Sequence, residues 1–412
     1  MEVQPATRAA ASSVQAMAPR TSVVWDEAFT AYDFGPTHPM GPVRLDLTTR
    51  LCRALGVLDH VDLLAPDVAD DDTLATVHDR DYIDAVRRAS KDPGAADVNR
   101  GLGTDDDPAF AGMHEASARI VQGTLDVCRR VWQGEAGHGV NYCGGLHHAM
   151  RTHASGFCIY NDGAVGIQWL LDHGAERVAY VDIDVHHGDG VERMFWNDPR
   201  VLTISVHESG QHLFPGTGWP GDIGGPDARG TVANVALPPG TGDASWLRAI
   251  DSVVPPLVRA FAPDVVVSQH GCDTHLHDPL AHLAITVDAQ RRAHEGLHDL
   301  AHEVSGGKWV ALGGGGYELV EVVPRSWTHL TAIAAHVPVS VDTAVPTEWL
   351  EHVERTFGRH APTRMGDLPP DRLPIWVQPW SMGHTPENPV DRAILATRQA
   401  VFSHHGLDAW FD

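Results

Sequence analysis

Short β-branched runs bounded by Gly, Asp or Pro recur between residues 179 and 313: AYVDIDV (179–185), VLTISV (201–206), PDVVVSQ (263–269) and KWVALG (308–313). Each predicts a buried strand. Helical stretches lie before and between them. Residues 43–55 run as a helix to Gly56, and residues 113–133 set Ile120, Leu125, Val127 and Val131 near one side. Residues 163–173 follow an Asn161-Asp162 cap and stop at Gly174, and residues 289–304 also read as helix. Apolar strands alternating with helices imply an α/β fold with a parallel sheet covered on both faces. In such sheets ligands sit beyond the carboxyl ends of the strands. After about residue 340 the chain turns rich in Pro, Trp and His, with Trp349, Trp376, Trp380 and Trp410. That stretch, 341–412, is expected to be an extension packed on a main domain of residues 21–340. Residues 1–20 are Ala/Ser-rich, with Glu2 and Pro5 where a secretion signal needs positive charge and then hydrophobes, and predict a disordered tail.

Charge narrows the partners. The formal net charge is −24 and no Lys/Arg block appears, which argues against nucleic acid and against anionic membrane surfaces. No run of about 18 apolar residues offers a membrane span. The five cysteines are scattered and odd in number, which suits a reducing compartment such as the cytoplasm. The 27 histidines are unusual, and their arrangement has to decide what they do.

Asp182, Asp184 and His186 alternate along VDIDVHHGDG (181–190), a period that puts them on one face of a strand. Two carboxylates and an imidazole crowded at the end of an apolar strand are either a solvated, hydrogen-bonded strand end or a cation site. The strand at 263–269 runs into HGCDTHLHDP and brings Asp273 to the same edge. Asp184, His186 and Asp273 then offer one nitrogen and two carboxylates, leaving a position for water as catalytic zinc requires. The two oxygen donors also admit Fe(II), Co(II) or Mn(II). His270, His275, His277 and His282 read as structural or rim histidines, and Cys272 is given no ligand role.

GGLHHAM (144–150) carries consecutive histidines, His147 and His148, either a plain surface pair or a proton-handling pair with split pKa values. The aspartates not used for metal, Asp182 and Asp189, are available to orient them. LGGGGYE (312–318) lacks the spacing of a phosphate loop and reads as a tight turn passing close to a substrate. It leaves Tyr317 at the carboxyl edge, where a phenol can donate to an oxyanion.

Together these segments, with HPMGPVR (38–44), ASGFCIYND (154–162) and LFPGTG (213–218), resemble the histone deacetylase superfamily over roughly residues 20–340. HPM, GCDTHLHDPLAHL and the C-terminal extension look most like its bacterial branch associated with acetoin utilisation and acetyl-CoA synthetase. The resemblance implies an arginase-like single domain with a central parallel eight-stranded sheet, and a metal-dependent amidohydrolase acting on acetyl-lysine. It makes Asp184, His186 and Asp273 the zinc ligands, His148 the general base and acid, and His147 its electrostatic partner. Asp182 and Asp189 stand behind that pair, and Tyr317 polarises the carbonyl. Phe157 and Phe214 match the walls of the acyl-lysine tunnel, with Gly156 beside them. Asp106 matches the rim aspartate, with Asp105 the alternative, and Arg44 lies on an acetate exit channel. Potassium is implied at Asp182, Asp184, His186, Ser205 and Val206, and again at Phe195, Asp198 and Val201. Two departures stand in the third metal motif: Cys272 replaces the usual alanine, and His270 precedes the glycine. The readings that compete are deacetylation of a small acetylated amine such as a polyamine, an arginase-like binuclear hydrolase, and a non-catalytic acetyl-lysine binder.

Overall fold

Eight short strands line up side by side and all run the same way. They are β1 (Thr21–Val24), β2 (Val61–Leu64), β3 (His138–Asn141), β4 (Val178–Asp182), β5 (Val201–Glu208), β6 (Val232–Leu237), β7 (Val265–Gln269) and β8 (Trp309–Leu312). In this computed structural model, which describes residues 20–412, the sheet order is β2-β1-β3-β8-β7-β4-β5-β6, parallel throughout. The tail predicted for residues 1–20 lies outside the described residues, apart from Arg20.

Helices cover the sheet: α1 (Val43–Ala54), α2 (Asp71–Leu74), α3 (Arg80–Lys91), α4 (Met113–Trp132), α5 (Asp162–Asp172), α6 (Asp189–Met194), α7 (Asp243–Phe261), α8 (Val287–Ser305) and α9 (Val323–Ala334). The α5 cap works as its sequence suggests, with the Asn161 side chain accepting from the Ala164 N–H at 2.9 Å. Central strands are buried on both faces, which is why β4, β5 and β7 read as continuous apolar runs.

One predicted strand is shorter than its pattern. Residues 179–185 do not continue as ladder past Asp182, whose register partners are Ser205 and Gln269. Beyond it the backbone donors turn to side chains: the N–H groups of Asp184, Val185 and His186 bond carboxylate oxygens of Asp182, Asp273 and Asp184 at 3.1, 3.0 and 2.9 Å. Ionised carboxylates are stronger acceptors than the next carbonyl of a ladder, so the strand ends where the aspartates begin.

The C-terminal stretch holds α10 (Thr347–Phe357) and α11 (Pro389–Val401). Trp349 is buried against Leu47 and Leu51 of α1 and donates to the Leu47 carbonyl at 3.0 Å. Trp380 lies under the guanidinium groups of Arg248 and Arg398, and Arg248 pairs with Asp391 at 2.8 Å. Trp376 and Trp410 remain exposed. Asp367 clamps this stretch to the main body, meeting His275 at 3.0 Å, Arg325 at 2.8 Å and the Val287 N–H at 2.7 Å.

Burial disfavours the charged form of Asp367, but the His275 hydrogen bond and the Arg325 charge outweigh it and hold the carboxyl well below the usual range. A pKa depressed on folding adds stability that is complete above the unfolded value, about 3.9, and is lost as pH falls toward the folded one. Asp367→Asn is therefore expected to lower the urea midpoint at pH 7, and the gap to wild type should narrow steadily below about pH 4. A gap independent of pH would show that the carboxylate charge is not what holds the clamp.

Candidate active site

Four adjacent strands, β3, β8, β7 and β4, end at one edge, and the segments leaving them carry the candidate metal ligands, the two histidines and Tyr317. The loop after β4 carries Asp184 and His186, and the loop after β7 carries Asp273. Their donor atoms lie within 4.8 Å of one another. His186 Nδ1 is 3.2 Å from Asp184 Oδ1 and 3.1 Å from Asp273 Oδ2. Both aspartates are fully buried and His186 nearly so.

The chemistry of this set fits a divalent cation. Burial opposes charge on His186, yet the hydrogen bonds and charges of Asp184 and Asp273 lift its pKa to about 10. The pair of carboxylates thus draws positive charge to one point, and a metal ion satisfies the same demand. Asp273 is pushed up to about 7 by burial and by the neighbouring Asp184 charge. Asp184 is oriented by the Gln269 side-chain amide at 2.7 Å and the Gly315 N–H at 2.8 Å. A methyl group on Gly315 would overlap the Asp273 carboxylate, so only glycine lets the turn after β8 close over the set. Cys272 is buried, which pushes its thiol up, and the neutral thiol is no metal ligand.

The loop after β3 brings in the two histidines. Asp162, at the start of α5, holds it by accepting the N–H groups of Gly145 and Leu146 at 3.0 and 2.8 Å. His147 Nδ1 meets Asp182 at 2.8 Å and His148 Nδ1 meets Asp189 at 2.7 Å, so each ring has its own carboxylate. The two Nε2 atoms face each other 3.0 Å apart. Burial opposes charge on both, but the Asp182 and Asp184 charges raise His147 to about 9, while burial and the His147 charge lower His148 to about 4. Tyr180, which the motif reading missed, donates its hydroxyl to Asp182 at 2.8 Å. It lies two residues before Asp182 on the same face of β4, a position the period-2 pattern contains.

Tyr317 is positioned by its own N–H, which donates to Asp278 at 2.8 Å. Burial raises its phenol well above 10, helped by the charges of Asp273 and Asp184. Phe157 meets Tyr317 edge-on at 5.6 Å, and Phe214 meets His148 at 5.0 Å and His186 at 6.4 Å. Phe214 is 45% exposed, so this wall reaches the surface. Asp106 accepts the Gly156 N–H at 2.7 Å, and the adjacent Asp105 is exposed. Arg44 is buried and donates to the carbonyls of Gly314 and Gly316 at 2.9 and 3.1 Å.

Other predicted positions lie farther out. Ser205 bonds His207 at 2.8 Å beside Asp182, in register with it, and Val206 follows in β5. The carbonyls of Phe195 and Asp198 accept the amides of Asp198 and Val201, while the Asp198 carboxylate is held by Arg200 at 2.6 Å. None of His270, His275, His277 or His282 joins the Asp184 cluster. His187 is buried between Thr217 and Glu192, 2.8 Å from each.

Histone deacetylase domain is the family whose profile matches this chain, over residues 38–334. The chain belongs to that family of hydrolases, and its fold is the arginase/deacetylase-like α/β arrangement. Among curated relatives, the Acetoin utilization protein AcuC of Bacillus subtilis (strain 168) is 38% identical over 377 residues, covering 91% of this chain and 97% of the relative. The protein of the same description from Staphylococcus xylosus is 38% identical over 336 residues, covering 80% and 86%. That from Staphylococcus aureus (strain MSSA476) is 36% identical over 350 residues, covering 84% and 90%.

Gly156 gives a test of how tightly the pieces fit. Its φ is +58°, and a Cβ there would run into the His148 imidazole. Gly156→Ala is expected to keep the fold and lower deacetylase turnover by at least about tenfold, a loss of about 1.4 kcal/mol in transition-state stabilisation. Unchanged kinetics would mean that His148 has room to spare.

Proposed function

We propose that this protein hydrolyses the acetamide of N-acetyl-lysine in a protein substrate, giving acetate and the free amine, with zinc held by Asp184, His186 and Asp273. The observation that carries this reading is the buried carboxylate pair with an imidazole between, set beside two histidines that each have a separate carboxylate. A divalent cation there polarises a carbonyl and acidifies a nearby water. Iron(II) fits the same donors. His148, its Nδ1 held by Asp189, presents Nε2 as the base that takes the water proton and returns it to the leaving amine. His147, held by Asp182, steadies the developing charge. Tyr317 donates its hydroxyl to the oxyanion. Phe157 and Phe214 flank a slim acyl-lysine stem, Gly156 lines it, and Asp106 stands at the rim. Arg44 borders the route by which acetate leaves.

Potassium is proposed at Asp182, Asp184, His186, Ser205 and Val206, and at Phe195, Asp198 and Val201. Residues 21–340 are taken as the catalytic unit and 341–412 as its extension, acting in the cytoplasm. The resemblance to the acetoin-utilisation branch, whose name the relatives carry, makes acetyl-CoA synthetase the first substrate to assay.

Tyr317→Phe is expected to leave fold and metal content intact and to lower kcat by about 10²–10³. Near-normal turnover in a folded variant refutes the tyrosine's role. Chelation should abolish hydrolysis and added Zn(II) restore it, and full activity in metal-free protein ends the proposal. The same assay on acetylspermidine separates the protein substrate from a small amine, because the reading requires the higher kcat/KM on the peptide.

A further inference from the structure

The opposite end of the sheet carries a second cluster. His138 opens β3, in register with Trp309 at the start of β8. Parallel strands run from this end toward the candidate active site, so the two clusters lie at opposite edges. His298 and His302 sit one turn apart on α8, and His336 follows α9. The four imidazoles pack with ring centroids 4.6–5.6 Å apart. One nitrogen of each lies within 4.8 Å of the others.

We propose that His138, His298, His302 and His336 form a second metal site, for zinc or a neighbouring late first-row divalent ion, separate from the catalytic centre. His138 Nε2 and His302 Nε2 are 3.1 Å apart. Tetrahedral ligands at metal–nitrogen distances of about 2.0–2.1 Å stand about 3.3 Å apart, so this pair needs little adjustment. His138 is 1% exposed, and the buried Nε2 of His298 has no hydrogen-bond partner among the described residues. A buried polar nitrogen is rarely left bare, and a bound ion is one way of satisfying it. His298 also has the outer partner that ligating histidines usually have, Asp299 at 3.0 Å on Nδ1, which leaves Nε2 as the donor. Burial, followed by the neighbouring rings, lowers His138 to about 3 and also lowers His336; burial and His298 lower His302. The neutral form is the one that binds metal.

The donor set chooses the ion. Four imidazoles without a carboxylate or thiolate suit zinc, copper or nickel and disfavour magnesium or calcium. With four protein ligands the site is closed, which makes it a staple across β3, α8 and the segment after α9 and not a second reaction centre. His336 also adopts φ +58°, a conformation that glycine takes more readily at the end of a helix.

Zinc titration of the tag-free full chain against a competing chelating dye is the test. Wild type should hold two submicromolar equivalents, and His298→Gln/His302→Gln one, with turnover on an acetyl-lysine peptide unchanged. Asp184→Asn should keep the equivalent that the histidine pair removes, so failure of this site and failure of the catalytic reading are distinguishable. His336→Gly should melt no lower than wild type without zinc, because glycine suits that backbone, yet gain less on adding zinc. Equal zinc binding by wild type and the His298/His302 variant, or an equal zinc-dependent rise in melting temperature, would overturn the proposal.

Discussion

Two aspartates that repel one another are packed, fully buried, around a single imidazole, and the rest of the candidate site is arranged to tolerate that. Bringing such charges out of water costs several kcal/mol per ion unless opposite charge and hydrogen bonds compensate. Asp184 receives N–H donors from Gln269, Gly315 and His186, and Asp273 receives one from Val185. These donors come from the ends of three neighbouring strands. The carboxylate pair and the sheet edge are therefore one construction: the edge supplies the amides, and the carboxylates end β4 by taking them.

That construction sets the place of everything else. The order β3-β8-β7-β4 spans three strand spacings, about 14 Å, and yet His147 from the β3 side reaches Asp182 at the end of β4. The loop after β3 has to arch over the ends of β8 and β7 to do so. Asp162 holds it from below, and the glycine turn after β8 leaves it room. The histidines' unequal environments follow from this path. His147 is driven among the carboxylates, while His148 stays on the outer side with Asp189, against Phe214.

The sequence made the four strands β4, β5, β7 and β8 legible because they are buried on both faces and so read as unbroken apolar runs. The strands β1, β2, β3 and β6 were not distinct, since runs such as HGVN and VDLL are four residues long and mix polar positions with apolar ones. Their number came from the family resemblance and not from the pattern. The metal set was legible as residues, but its local geometry was not: alternation placed Asp182, Asp184 and His186 on a strand, whereas the carboxylates themselves dissolve the ladder after Asp182. Gln269, Tyr180 and Asp278 escaped notice because each acts by hydrogen bonding to a group named elsewhere. His298 and His302 stand one turn apart on α8, but their partners His138 and His336 lie more than 30 residues away, and no local pattern joins the four.

The two edges of the sheet differ in the charge that they gather. At the carboxyl edge the carboxylates demand a cation whatever its kind, and donor hardness leaves zinc and iron both acceptable. At the amino edge imidazoles stand in place of carboxylates and offer only nitrogen lone pairs, so nothing there attracts a hard ion. A metal bound by four neutral rings keeps its full positive charge, and a site of that kind is stable only where solvent or nearby carboxylates screen it. His302 and His336 are exposed, and Asp299 bonds His298 from the solvent side. The surroundings of the amino-edge cluster thus meet the electrostatic condition from outside, where those of the carboxyl edge meet it from within.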